Sequence, residues 1–319
     1  MNPPSLSATV ASLDIGDCKI CLPVGQIQAD GRLQIIGMGQ AASRGVSFGH
    51  IVRTAHALKA ARKAVVEAEE MAKTKITSVF IGTSTTSIKW GQRRILVPRH
   101  PDCAIHQSIE LVLALGLTVA GVVFKGSASG TAVLTPEQKQ QGALVIDIGA
   151  SMTHYAVFSR GVPIVCGSLP FGGNAISLRL ALDLSLSIAY AEHLKRSEHN
   201  SVHDHGRASW FNRSFSRSGI NFQAIQRITR SKMETCFEKI RSQTSTVLSS
   251  LEAGVVLTGG SSRIAGLEEL CSQLFGLPAS LAQLASSDYQ LKSLNNPEFS
   301  TSIGLVEYGA SLKPMRFCA

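Results

Sequence analysis

The chain holds 319 residues, 44% of them hydrophobic and 17% charged, with 28 glycines and 11 prolines. That composition excludes a disordered, collagen-like or low-complexity polymer and leaves room for roughly two domains of ~150 residues, with cores large enough to need no disulfide or metal staple. A net charge of +9 invites a phosphate-bearing partner, but aromatics are 6% and no nucleic-acid-binding motif or stacking pattern accompanies the charge, so no nucleic-acid partner is expected.

Val10–Leu13 is predicted as a strand, Asp14-Ile15-Gly16-Asp17 as a turn, and Cys18–Val24 as a second strand in period-two alternation. Met1–Ser5 lacks the basic and apolar regions of a signal peptide. Cys18 and Cys21 form a lone CxxC with no second ligand pair, so both are expected as buried strand thiols; the seven scattered cysteines suit a reducing compartment. A third strand, Arg32–Met38, follows the Asp30-Gly31 turn. Ile51–Met71 carries apolar residues at helical spacing with Lys59, Arg62, Lys63, Glu67, Glu69 and Glu70 on the opposite face. Ile76–Gly82 reads as a strand, Lys89–Arg99 as a basic solvated loop, Ala104–Leu115 as a helix ended by Gly116, and Val119–Phe124 as a strand. The longest apolar run, Ile109–Phe124, is broken by Glu110, Gly116 and Gly121 and falls short of a bilayer span of ~20 residues. Thr131–Leu134 closes a short helix before a polar linker, Thr135–Gln141.

The opening order then recurs. Strand Ala143–Ile146, turn Asp147-Ile148-Gly149-Ala150, strand Thr153–Phe158, turn Arg160-Gly161 and strand Val162–Leu169 repeat the first cycle, which predicts an internal duplication of one supersecondary unit. Beyond it lie a helix Ala175–Lys195, a Ser-, His- and Arg-rich loop Ser197–Ser218 whose histidines show no ligand geometry, and a long amphipathic helix Phe222–Leu251. Strand Gly254–Leu257, the turn Thr258-Gly259-Gly260-Ser261-Ser262, helix Leu267–Phe275 and helix Thr301–Leu312 complete the chain.

An Asp-x-Gly turn between strands suits phosphate: glycine lets backbone N–H groups approach the oxygens, and the aspartate can hold Mg²⁺ through its water shell. Two such turns with a later Thr-Gly-Gly turn that opens a helix make two opposed clamps and a platform for an adenosine.

These residues resemble the actin-like, Hsp70-like and sugar-kinase-like ATPases, and among them the bacterial cell-division protein family FtsA. The likeness rests on Leu13-Asp14-Ile15-Gly16 with Lys19, Ser43-Arg44-Gly45-Val46, Val145-Ile146-Asp147-Ile148-Gly149, Leu169-Pro170-Phe171-Gly172-Gly173-Asn174, Ala191-Glu192 with Lys195, and Leu257-Thr258-Gly259-Gly260-Ser261-Ser262. It implies an α/β fold of the actin/Hsp70-like (ribonuclease H-like) kind, duplicated domains around a nucleotide cleft. One half would span 8–141, completed by a helix at 300–312, and the other 142–302, with a small subdomain at about 191–253. By the same resemblance Asp14, Gly16 and Lys19 form a first phosphate loop, Asp147, Gly149, Ser151 and Thr153 a second, Glu192 and Lys195 reach the sugar and base, and Gly259, Gly260 and Ser261 flank the adenosine. The implied cofactor is ATP or ADP with Mg²⁺, held through water by Asp14 and Asp147. The implied partners are the C-terminal tail of FtsZ and other division proteins, at the cytoplasmic face of the inner membrane. Lys195, Arg196, Arg213, Arg217, Arg227, Arg230 and Lys232 would meet the acidic tail.

Departures from the family pattern carry their own expectations. Asp17 stands where a hydroxyl usually meets phosphate, Ala150 narrows the second loop, and Lys125 stands where an acid usually orients the attacking water; weakened nucleotide binding and slow or absent hydrolysis follow. The family's small insert, which touches the neighbouring subunit in filaments, is reduced to about 90–107, which puts self-association in doubt. Lys313–Ala319 is too short for the amphipathic membrane helix with which family members finish. The alternative is an actin-like-fold ATPase or a small-molecule kinase; a kinase needs an acid placed as general base near the cleft and a substrate pocket, and no motif supplies them.

Overall fold

The computed structural model describes residues 8–84, 104–201, 222–284 and 295–312. Two five-stranded sheets share one topology. In the first the order is β3-β2-β1-β6-β7. Its strands are β1 (Thr9–Ile15), β2 (Lys19–Ile27), β3 (Leu33–Ala42), β6 (Ser78–Thr83) and β7 (Thr118–Phe124). In the second the order is β10-β9-β8-β11-β12. It is built from β8 (Ala143–Ile148), β9 (Thr153–Ser159), β10 (Val162–Leu169), β11 (Val255–Thr258) and β12 (Ala279–Leu281). Three strands run as an antiparallel meander, and two more join in parallel beyond the first of them. Parallel joins need helical crossovers, so each sheet has helices on its flanks. The predicted duplication is therefore present in the backbone.

Helix α1 (Thr54–Ala72) covers the first sheet with a stripe of alanines, Ala57, Ala60, Ala61, Ala64 and Ala68. Small residues at one face bring the helix close to the strands, and the first core forms between it, α2 (Ala104–Ala114) and Leu13, Ile20, Leu22 and Ile81 of the sheet. The second core joins its sheet to α5 (Gly173–Asp183), α6 (Ile188–Ser201), α7 (Phe222–Thr244) and α8 (Leu267–Phe275). A third core lies between the two sheets, where α3 (Lys125–Val133) and α9 (Ser300–Leu312) cross. Their contact is backbone on backbone: a Cβ at Gly304 would stand 1.8 Å from the Ala128 carbonyl oxygen.

Several boundaries differ from the sequence expectation. The helix predicted over Ala175–Lys195 breaks at 184–187, where Ser185 takes φ 52° and Leu184 and Leu186 still pack on the second core. The apolar rhythm thus continues through a turn. Thr135–Gln141 is not a linker but a short helix, α4 (Pro136–Gln141), opened by a reciprocal Thr135–Gln138 capping box with Pro136 in its first turn. The predicted Phe222–Leu251 helix stops at Thr244 and is followed by a 3₁₀ turn at Leu248–Ser250. Cys18 is exposed in the turn before β2, and of the CxxC pair only Cys21 is buried. The start of the Ser197–Ser218 loop is helical as far as Ser201; the rest of it, with the Lys89–Arg99 loop, Arg213 and Arg217, lies outside the described residues. Of the reduced insert, residues 104–107 begin α2, and Ile105 is buried in the first core. The hairpin β4 (Val46–Ser47)–β5 (His50–Ile51) was not legible. Its central Phe48 and Gly49 both have positive φ, the pattern of a two-residue type I′ turn.

Candidate functional site

The turns that follow β1 and β8 line one cavity of about 360 Å³, within the ~300–1,000 Å³ range of small-molecule sites. The two turns close alike. The Gly16 N–H donates to the Lys19 carbonyl at 3.0 Å and the Gly149 N–H to the Met152 carbonyl at 2.9 Å. A Cβ on either glycine would sit 2.8 Å from the oxygen it faces. The N–H groups of Asp17, Cys18, Ala150 and Ser151, on the same two turns, donate to no other group among the described residues. Such successive free N–H groups form an anion-accepting concavity.

Of the residues singled out from the sequence, all but Thr153 line this cavity: Asp14, Gly16, Lys19, Asp147, Gly149, Ser151, Glu192, Lys195, Gly259, Gly260 and Ser261. Thr153 is buried behind it, its hydroxyl donating to the Phe171 carbonyl at 2.9 Å.

The second half builds its wall from the Leu169–Asn174 segment. The Asn174 N–H donates to the Ala150 carbonyl at 2.7 Å and its amide group to Ser151 Oγ at 2.9 Å. The Ser261 hydroxyl donates to the Gly149 carbonyl at 3.1 Å. Lys195 is buried here, not on the surface where it would meet an acidic tail: Nζ donates to Glu192 Oε2 at 2.6 Å and to the Gly173 carbonyl at 3.0 Å. Ser177 and Arg196 donate to the same carboxylate at 2.5 and 2.8 Å. Burial pushes the Glu192 carboxyl up, but these donors, Lys195 first, outweigh it and hold it below the ordinary range.

The carboxylates are the informative groups. Asp147 is buried; its Oδ2 accepts from Ser129 Oγ at 2.5 Å and Thr301 Oγ1 at 2.7 Å, so it joins β8 to α3 and α9. Burial raises its pKa above the usual carboxylate value despite those two donors. Asp14 Oδ1 lies 2.9 Å from Lys125 Nζ, and Lys125 also donates to the Ile15 carbonyl at 2.7 Å. The Asp14–Lys125 contact is an ion pair without hydrogen-bond alignment, leaving Asp14 Oδ1 buried with no aligned donor. Lys19 Nζ sits 3.0 Å from Glu298 Oε2 and 3.6 Å from the centre of the Phe299 ring. Asp17, expected to crowd a phosphate, instead accepts from the N–H groups of Phe48 and Gly49 at 2.8 and 3.0 Å. The tight β4–β5 turn aims both donors at it. The five carboxylates that line the cavity, Asp14, Asp17, Asp147, Glu192 and Glu298, are thus each held by a cation, a hydroxyl or a backbone N–H.

One lining residue had no sequence signal beyond its place in a strand. His154 of β9 is buried, and its Nε2 lies 2.9 Å from Ser84 Oγ of the first half. Burial, with Lys125 nearby, pushes its pKa down to about 3, so the imidazole is neutral. Ser168 Oγ donates to the Ser84 carbonyl at 2.9 Å, so two strands of the second sheet grip the residue after β6.

Duplicated sheets, paired Asp-x-Gly turns on a shared cavity and two helices crossing behind it define an actin-like ATPase fold. Ethanolamine utilization protein EutJ from Carboxydothermus hydrogenoformans superposes with a TM-score of 0.65 at 19% identity, over 95% of this chain and 91% of that one. MreB5 of Spiroplasma citri bound to ADP gives 0.63 at 15% identity, over 96% and 98%. Within that class the chain belongs to the FtsA family: the model described as "Cell division protein FtsA" matches residues 144–304. Cell division protein FtsA of Pseudomonas aeruginosa is 25% identical over 377 aligned positions, covering 94% of this chain and 89% of that protein. Among the described residues no helix is long and apolar enough to cross a membrane.

Proposed function

We propose that this FtsA-family chain is a division adaptor that takes ATP or ADP into the cleft with slow or absent hydrolysis and tethers FtsZ by its C-terminal tail at the cytoplasmic face of the inner membrane. The observation that carries the nucleotide reading is the pair of matched glycine turns with free N–H groups on one cavity. A fold shared with a protein solved with ADP supports it. Slow hydrolysis is supported by the carboxylates: each of the five lining the cavity is already engaged by a cation, a hydroxyl or a backbone N–H. The same engagement argues against a small-molecule kinase.

For the FtsZ tail, the described members of the basic set that form no ion pair at the surface are on α7. Arg227 is exposed and Lys232 half-buried, whereas Arg196 and Arg230 pair with Glu192 and Glu234. Only residues 84–103 separate β6 from α2, in keeping with a reduced insert, and filaments built through that insert are in doubt.

Calorimetric titration of the full chain with ADP and ATP, followed by phosphate-release measurement, tests the reading. Saturable binding with negligible turnover is expected; no saturable binding refutes the nucleotide part. A pull-down with the FtsZ tail peptide should show binding that weakens with salt, and salt-independent or absent capture counts against the tether.

A further inference from the structure

The fold implies a hydrated magnesium ion between the two aspartates, but the side chains present do not leave it a seat. Lys125 is the first residue of α3, and its stem crosses the end of β6 at Gly82, where a Cβ would lie 2.9 Å from Lys125 Cγ and 3.1 Å from Cε. That path delivers Nζ to Asp14 Oδ1 at 2.9 Å and to the Ile15 carbonyl at 2.7 Å. Lys125 is 8% exposed and lines the cavity. An ammonium has three donors; the Ile15 carbonyl takes one and the Asp14 contact is ionic, so Nζ keeps donors for a ligand. Across the cleft, Asp147 Oδ2 already accepts two hydroxyl donors, and its Oδ1 lies against the backbone of Gly259. Magnesium keeps most of its water and binds proteins through one or two carboxylates. Here one carboxylate faces an ammonium, and one oxygen of the other already carries two hydroxyl donors.

We propose that the Lys125 ammonium is a built-in cation that takes the place of a divalent metal beside Asp14, so that the cleft binds phosphates without a metal ion. The phosphate half of this inference rests on the nucleotide reading above; the metal half does not.

The test therefore has two arms, both on the full chain. In the first, Mn²⁺ alone is titrated and bound ion counted by electron paramagnetic resonance. Wild type is expected to take up no stoichiometric Mn²⁺, and Lys125→Gln, which frees Asp14, to gain one ion. Stoichiometric binding by wild type that is lost in Asp14→Asn overturns the proposal, as does no gain in both Lys125→Gln and Lys125→Met, the latter keeping the stem over Gly82. In the second arm, ADP affinity is measured by calorimetry in EDTA and in Mg²⁺. Wild type should bind equally in both, while Lys125→Gln should weaken about tenfold or more in EDTA and recover in Mg²⁺, since a hydrogen bond between charged groups contributes roughly that factor. A wild-type affinity that collapses in EDTA overturns the proposal. Absence of ADP binding in both buffers defeats the nucleotide reading, and the Mn²⁺ arm still decides whether Lys125 excludes the metal. The wild-type measurements decide even where a variant fails to fold.

Discussion

Acid should weaken this protein through one identifiable side chain. His154 is buried against Ser84 and Phe124, with Lys125 the charged group that bears on it, and its pKa is pushed down to about 3. In the unfolded chain an imidazole titrates near ~6.5. Below that value the unfolded state holds a proton that the folded state does not, so stability is complete above the unfolded pKa and is lost as pH falls toward the folded one. At about pH 5.5 the unfolded imidazole is roughly nine-tenths protonated, which costs ~1.4 kcal/mol relative to neutral pH. His154→Gln retains a partner for Ser84 but cannot titrate. Urea unfolding followed by circular dichroism at about pH 7.5 and 5.5 should show wild type losing ~1.4 kcal/mol more than the variant. Parallel loss in the two proteins would refute the assignment of a neutral, buried imidazole.

Further tests address the frame around the cleft. Gly304→Ala drives a Cβ into the Ala128 carbonyl, where backbone cannot yield, and should cost ~2 kcal/mol net of the helix propensity gained, read as a lower thermal midpoint. Asp17→Ala removes two acceptor contacts from the Phe48-Gly49 turn and should cost ~1 kcal/mol while leaving any ADP affinity the same or stronger; a marked loss of affinity would show that its carboxylate serves the ligand after all. Thr135→Ala breaks the α4 capping box and should cost ~1 kcal/mol in the same urea assay, with no effect on the cleft.

The sheets were legible because their signals are local. Period-two alternation and the two Asp-x-Gly turns lie within a few residues of what they specify, and the repeat exposed the duplication. Local rhythm also misled: Leu184 and Leu186 keep the apolar spacing of a helix through a turn, because both still face the second core. The capping box at Thr135 was a readable signal, and the polar composition of the segment hid it. In the site, the turns could be placed but the engagements of the charges could not. Lys125 and the Ile15 carbonyl are 110 residues apart in sequence, and Asp17 and Gly49 are 32 apart. Which oxygen a lysine reaches, or which turn an aspartate caps, is decided by how sheets and helices dock, and no short-range pattern encodes that.

The crossing of α3 and α9 also ties the cleft to the core between the two sheets. Only the hydrogens of Gly304 stand between the two backbones, so the helices pack as one unit. Lys125 opens α3 on the cleft, and Asp147 holds both helices, through Ser129 of α3 and Thr301 at the start of α9. Both aspartates of the cleft are therefore fastened to the one helix pair that lies between the two sheets.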